Sequence, residues 1–191
     1  MEKYNCSRRS ESGFSLVEVI VATGILATAL VSLAQLFAIS TSANMAARNA
    51  GTTMIYAEQK LEQLRALSFT LDVAGLPIND AATDTSVYPP AAAGGTGLSP
   101  SPTNTIQTNT DGYVDYLDRN GKQLGGGATV PNNTAYIRRW SVEPLPTNPN
   151  NIIILQVLVT RSRDRGTADL GSVARAPDEA RLMTVRSRKV Q

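Results

Sequence analysis

The chain has 191 residues, 42% of them hydrophobic, with 18 Lys and Arg against 16 Asp and Glu for a formal net charge of +2. It holds no histidine and one cysteine, Cys6, which excludes a Ser-His-Asp or Cys-His catalytic site and a His/Cys metal cage. Ten prolines, fourteen glycines and 5% aromatics argue against a large dense core, and the length suits one domain plus an appendage.

Residues 1–13 are polar, with Lys3, Arg8 and Arg9 set against Glu2 and Glu11. From Phe14 the chain turns apolar, and no charged residue lies between Glu18 and Arg48. About 20 such residues at ~1.5 Å each cross a hydrocarbon core of ~30 Å, so residues 14–40 are expected to form a membrane helix. A secretory signal carries a shorter apolar run, roughly 7–15 residues, ahead of a small-residue cleavage site. The positive excess before the run predicts a cytoplasmic N-terminus and a C-terminal domain on the other side of the inner membrane, in the periplasm.

No proline occurs before Pro77, and the helix is expected to continue through 41–70 as an amphipathic segment. Met54, Ala57, Leu61 and Leu64 recur at helical offsets, with Glu58, Lys60, Glu62 and Arg65 off that stripe. The stripe should pack on the chain's own sheet. Within 71–112, residues 77–111 show no apolar period and many prolines and glycines, and are expected to form a long surface loop, partly mobile.

The remainder, 113–191, predicts an antiparallel meander. Tyr113–Leu117 enters a turn at Asp118-Arg119-Asn120-Gly121. Ala135–Val142 and the apolar run Ile152–Thr160 follow, the latter reading as a central strand. Leu182–Arg188 alternates, with Met183 and Val185 expected inward and Thr184, Arg186 and Arg188 outward. Loops are expected at Gly121–Thr134 and Pro144–Asn151. The fold class is thus α+β, a long N-terminal helix on a small antiparallel sheet.

Glu18 is the anomaly. A lone acid costs ~2.5–3.5 kcal/mol at the centre of a membrane helix, less near its end, and needs a named partner. Were the chain cut after Gly13, Phe14 would carry a new α-amino group with a pKa near ~8, largely positive at neutral pH. That amine would lie one helical turn from Glu18 of its own chain, or within reach of Glu18 of a neighbour displaced by a turn. Such a pair in a helix bundle fixes register.

Gly13 followed by FSLVEV (Phe14–Val19) and the apolar helix resembles the type IV pilin superfamily. The resemblance implies cleavage between Gly13 and Phe14 by a membrane prepilin peptidase, N-methylation of Phe14, and pairing of Glu18 with a neighbour's N-terminus. It also implies helices 14–39 packed as a filament core with other pilin or pseudopilin subunits. The pattern Tyr136-x-Arg138-x-Trp140-x-Val142, IIILQVLV, Leu182-x-Thr184-x-Arg186 is similar to PilV-type minor pilins and to I-type minor pseudopilins of type II secretion. The helix lacks proline, and Cys6 would leave with the leader, so no disulfide could close the mature chain. Both absences favour a minor subunit over the main one.

Two lesser signals lie in the C-terminal half. From Arg161 to Lys189 there are eight Lys and Arg against four Asp and Glu. The interleaved acids and the lack of stacking aromatics argue against nucleic acid and for a charged strand edge. Asp111, Asp115 and Asp118 fail the EF-hand spacing, and a hairpin turn is the better reading of that stretch than calcium. The expectation is an assembly protein, not an enzyme, with no cofactor and no metal: a minor pilin, or a minor pseudopilin. A third reading is a single-pass membrane protein whose sheet binds a partner or DNA.

Overall fold

The computed structural model of the protein describes residues 13–162 and 179–190. The leader up to residue 12 and Arg163, Asp164, Arg165, Asp169 and Asp178 lie outside them. The chain divides into two compact units, 1–45 and 46–191. One helix, α1 (Leu16–Ala66), supplies the described part of the first unit and opens the second.

In the second unit α1 buries Thr53, Ala57, Lys60, Leu61 and Leu64. Ala57, Leu61 and Leu64 are the expected stripe, but Met54 is 40% exposed and Thr53 takes its place. Residues 53, 57, 60 and 64 follow the 3.6-residue period more closely, so Lys60, expected in solvent, falls on the inner face. Arg65 and the guanidinium of Arg186 serve the helix end, Arg186 donating to the carbonyls of Leu64 and Leu67 at 3.2 and 2.6 Å.

The main sheet comprises β3 (Val114–Leu117), β4 (Gln123–Gly126), β5 (Tyr136–Pro144), β6 (Ile152–Arg161) and β7 (Ala180–Ser187). The strand order is β4-β3-β5-β6-β7, antiparallel throughout. β4 was expected to be loop. It is short and ends on two glycines, so it carries no alternation to betray it. The preceding turn has three residues: Gly121 N–H donates to Asp118 O at 3.1 Å, and the Asp118 carboxylate accepts from the backbone of Asn120 and Lys122, both at 2.8 Å. Gly121 sits at φ +80°, where a Cβ would also lie 2.7 Å from the Tyr56 hydroxyl, so the turn and the packing both require glycine there.

A second sheet joins β1 (Phe69–Leu71), β2 (Pro77–Asn79) and β8 (Lys189–Val190) in the order β2-β1-β8, and β1 pairs with β8 in parallel. The sequence suggested neither this sheet nor a parallel pair. Residues 77–111 therefore carry a strand, and they also bury Thr85, Ser86, Leu98 and Thr105. Side chains stand in for a ladder: Asp80 accepts from Thr83 N and Oγ1, and Asp84 from Ser86 N and Oγ. That order has no hydrophobic period, so composition alone suggested a freer loop.

β7 runs in the opposite phase to the one expected. Met183 and Val185 are 66% and 63% exposed, while Leu182, Thr184 and Arg186 are half-buried on the α1 side. Their partners in β6 are Val157, Leu155 and Ile153, all buried core residues. Arg186 and Arg188 face inward because backbone carbonyls and the Phe69 ring receive them, Arg188 Cζ lying 4.0 Å from the ring centroid.

Between α1 and the sheet lies a core of Ala57, Leu61, Leu64, Trp140, Val142, Leu155, Val157 and their neighbours. On the sheet's other face Val114, Tyr116 and Ile137 form a smaller cluster. Set into the main core is a charged triad. Lys60 Nζ lies 2.6 Å from Asp115 Oδ2, and Arg138 grips the same carboxylate through Nε at 2.7 Å and Nη2 at 2.9 Å. All three residues are buried. Lys60 also donates to Thr85 O at 2.5 Å and rests 4.1 Å from the centre of the Trp140 ring, and Gln123 completes the shell of Asp115 at 3.1 Å.

Removing one partner of a buried pair leaves a charge in low dielectric, at a cost of about 3–5 kcal/mol. Asp115→Ala is expected to destabilise the sheet domain by that order, and adding Lys60→Met and Arg138→Met to recover most of the loss. Denaturant unfolding of the detergent-solubilised chain, followed by the fluorescence of its single tryptophan, measures both.

Burial first, and Arg138 as a minor contributor, depress the Lys60 ammonium to about 8 from its ordinary 10.5 against the opposing pull of Asp115. From about pH 8 to 10.5 the unfolded chain then binds more protons than the folded one, so Lys60 makes stability rise with pH across that window. Tyr56, Tyr113 and Tyr116, raised above 10.0 mainly by burial, act oppositely from about pH 10. Stability is expected to climb between pH 8 and 10 and to flatten there in Lys60→Met, as read from denaturation midpoints at each pH.

Candidate functional site

Gly13, Phe14 and Ser15 precede the helix without regular structure, and α1 begins at Leu16. The Ser15 carbonyl accepts the first helical bond, from Val19 N–H at 3.2 Å, which makes Ser15 the N-cap. Glu18 then occupies the third helical position, in the first turn. Ser15-x-x-Glu18 has the spacing of a capping box, and an acid here also suits the helix dipole. Neither side chain makes a capping hydrogen bond among the described residues, so the pattern shows the spacing of a box without its bonds.

The capping pattern and the dipole favour an acid at position 18 but give its charge no cation, and glutamine fits a capping box as well as glutamate does. The neighbouring polar side chains sharpen the contrast. Thr23 donates its hydroxyl to Val19 O at 2.8 Å, Thr28 to Ile25 O at 2.8 Å and Ser32 to Thr28 O at 2.9 Å. Each is satisfied by its own helix, as a hydrocarbon environment demands. Between Leu16 and Ile39, Glu18 and Gln35 are the polar residues with no such bond, and Glu18 is exposed. Within the described residues of one chain its carboxylate meets no cation.

Gly13 and Phe14 show a similar mismatch between residue and fold. Among the described residues a Cβ built on Gly13 would meet nothing within 4 Å, so no packing contact there requires glycine at 13. Phe14 is 83% exposed and packs on no core. Around them the first unit presents Leu16, Ile20, Ile25, Leu30, Leu36 and Phe37, each more than half exposed, on the one described helix long and apolar enough to cross a membrane.

Among the described residues the lesser signals do not assemble into sites. Asp115 is held by Lys60 and Arg138, Asp118 by its own turn, and no three potential metal ligands cluster among the described residues. In the basic last third, Arg181 donates to Gln156 Oε1 at 2.7 Å, while Arg186 and Arg188 bind main-chain carbonyls.

Against known families, the chain matches the prokaryotic N-terminal methylation motif over residues 8–34. That motif is the pilin-like prepilin signal, and it supports membership of the pilin-type superfamily; the match ends within α1 and does not reach the sheets. No curated protein and no solved structure matches the chain.

Because glutamine fits the capping pattern as well, Glu18→Gln is expected to leave helix content and membrane insertion unchanged, as measured by circular dichroism in detergent and by carbonate extraction of membranes.

Proposed function

We propose that this chain, a pilin-like prepilin by its signal, is a minor type IV pilin. A membrane prepilin peptidase hydrolyses the Gly13–Phe14 peptide bond and methylates the freed Phe14 nitrogen with a sulfonium methyl donor, which leaves as the thioether. The mature chain then enters, or primes, a filament through α1. The observation that carries this reading is the charge of Glu18: it stands at the head of an apolar helix, and among the described residues of its own chain it meets no cation. A positive N-terminus created at Phe14 supplies one. In a low-dielectric bundle, sliding one helix past another would strand both charges, so the pair sets the axial register of neighbours. A glycine that no packing contact among the described residues requires is accounted for as a recognition element of the peptidase.

The chain acts as a structural subunit rather than an enzyme, anchored in the inner membrane with its sheet domain in the periplasm before assembly. An uninterrupted apolar helix and a mature chain without cysteine support a minor rather than a principal subunit. The strand triplet β5-β6-β7 fits an I-type minor pseudopilin of type II secretion equally well, and a deletion strain that keeps its pili but loses exoprotein secretion would favour that assignment.

Mass spectrometry of the chain from its native host is expected to find a mature form beginning at methylated Phe14, and Gly13→Val to retain the leader. Glu18→Gln is expected to be processed and inserted yet missing from sheared filaments. A native chain that keeps its first thirteen residues would overturn the proposal.

A further inference from the structure

The main sheet ends on β7, and among the described residues the backbone of that strand bonds only to β6. The ladder runs without a shift from Val159↔Ala180 to Ile152↔Ser187, and the strand holds no proline, so the outer edge is regular and, among the described residues, uncovered. Natural edges are usually blunted by charges or bulges. Here Arg186 is committed to the end of α1, while Arg181, exposed on the face away from α1, is held by Gln156. On the face away from α1, Met183 and Val185 stand out into solvent beside half-buried Ile152 and Ile154 of β6. The pairing Ile154↔Val185 and the neighbouring Met183 make an apolar patch that reaches the edge, bounded on one side by Gln156 and the Arg181 it holds.

We propose that β7 is a docking edge for a second copy of this chain, the two β7 strands pairing antiparallel about a two-fold axis at Thr184. Directly opposed residues in such a pair share a face. Centred on Thr184, the register sets Met183 against the partner's Val185, Leu182 against the partner's Arg186, and Arg181 against the partner's Ser187. Apolar meets apolar on the exposed face, and no like charges meet. Centred instead on Met183, the pairing would drive Arg181 against the partner's Val185, a charge into the apolar strip, so the side chains select the first register. An unrelated strand could satisfy the same backbone groups but would lack this self-matching order, which is why a second copy is the occupant. The proposal uses only the sheet and does not rest on the pilin reading.

Cysteine crosslinking in native membranes tests it. In full-length Cys6→Ser chain, Thr184→Cys places two thiols on the axis, where opposed Cβ atoms lie ~4.5–5.5 Å apart, close to disulfide range. Oxidation is expected to give a dimer of twice the chain mass. Adding Val185→Lys should cut the crosslinked fraction about tenfold, as an edge lysine disfavours strand pairing, while the tryptophan-monitored unfolding midpoint stays unchanged because Val185 is exposed. The dimer is expected to persist in Gly13→Val chain, which retains its leader. No dimer, a crosslink to a protein of another mass, a dimer indifferent to Val185→Lys, or its disappearance with Gly13→Val would each overturn the proposal.

Discussion

Asp115 is the point through which helix and sheet of the second unit are held together. Its carboxylate receives Lys60 from α1, Arg138 from the neighbouring strand and Gln123 from β4. The rest of that layer is hydrocarbon, which resists separation but is indifferent to small slides. Ion pairs in an apolar layer are not indifferent: moving α1 by one turn would leave an ammonium among Leu and Val with no oxygen to meet. The triad thus contributes uniqueness of packing more than net stability. Thr85 extends its influence, since the carbonyl that accepts from Lys60 ties down a long segment with little periodic structure of its own.

Hydroxyls on α1 turn back onto their own helix in both units, as Thr23, Thr28 and Ser32 do in the first and Thr52 and Thr53 in the second, the arrangement that hydrocarbon permits. Beyond the helix, polar side chains of the second unit reach across to distant segments, as Tyr113 does to the carbonyls of Ser99 and Pro100, or Tyr116 to Gly127. Glu18 conforms to neither pattern, and that is why it carries the functional argument.

What the sequence made legible follows from what has a period. α1, β3, β5, β6 and the turn at Gly121 announce themselves through hydrophobic spacing or turn chemistry. The head of the helix was legible as well, because Gly13, Phe14 and Glu18 form a compact local signal. Several features were not. β4 is too short and glycine-rich to alternate, and β1, β2 and β8 total eight residues spread along the chain. The phase of β7 was inverted because arginine is normally assigned to solvent, whereas Arg186 and Arg188 find carbonyls that only the folded chain brings near. Lys60 was missed for the same reason: its place inside depends on Asp115 and Arg138, far from it in sequence. The capping spacing of Ser15 and Glu18 was available to inspection and was eclipsed by the more conspicuous anomaly of a charge in an apolar helix.

The two margins of the main sheet differ in kind. One belongs to β4, four residues long, interrupted by a shift of register opposite Tyr116 and Leu117 and closing on Gly125 and Gly126. The other belongs to β7, twice as long and unbroken. A sheet with a single usable margin has a valence of one. A strand added there completes the main sheet instead of seeding a ribbon, so pairing through that sheet is finite by construction.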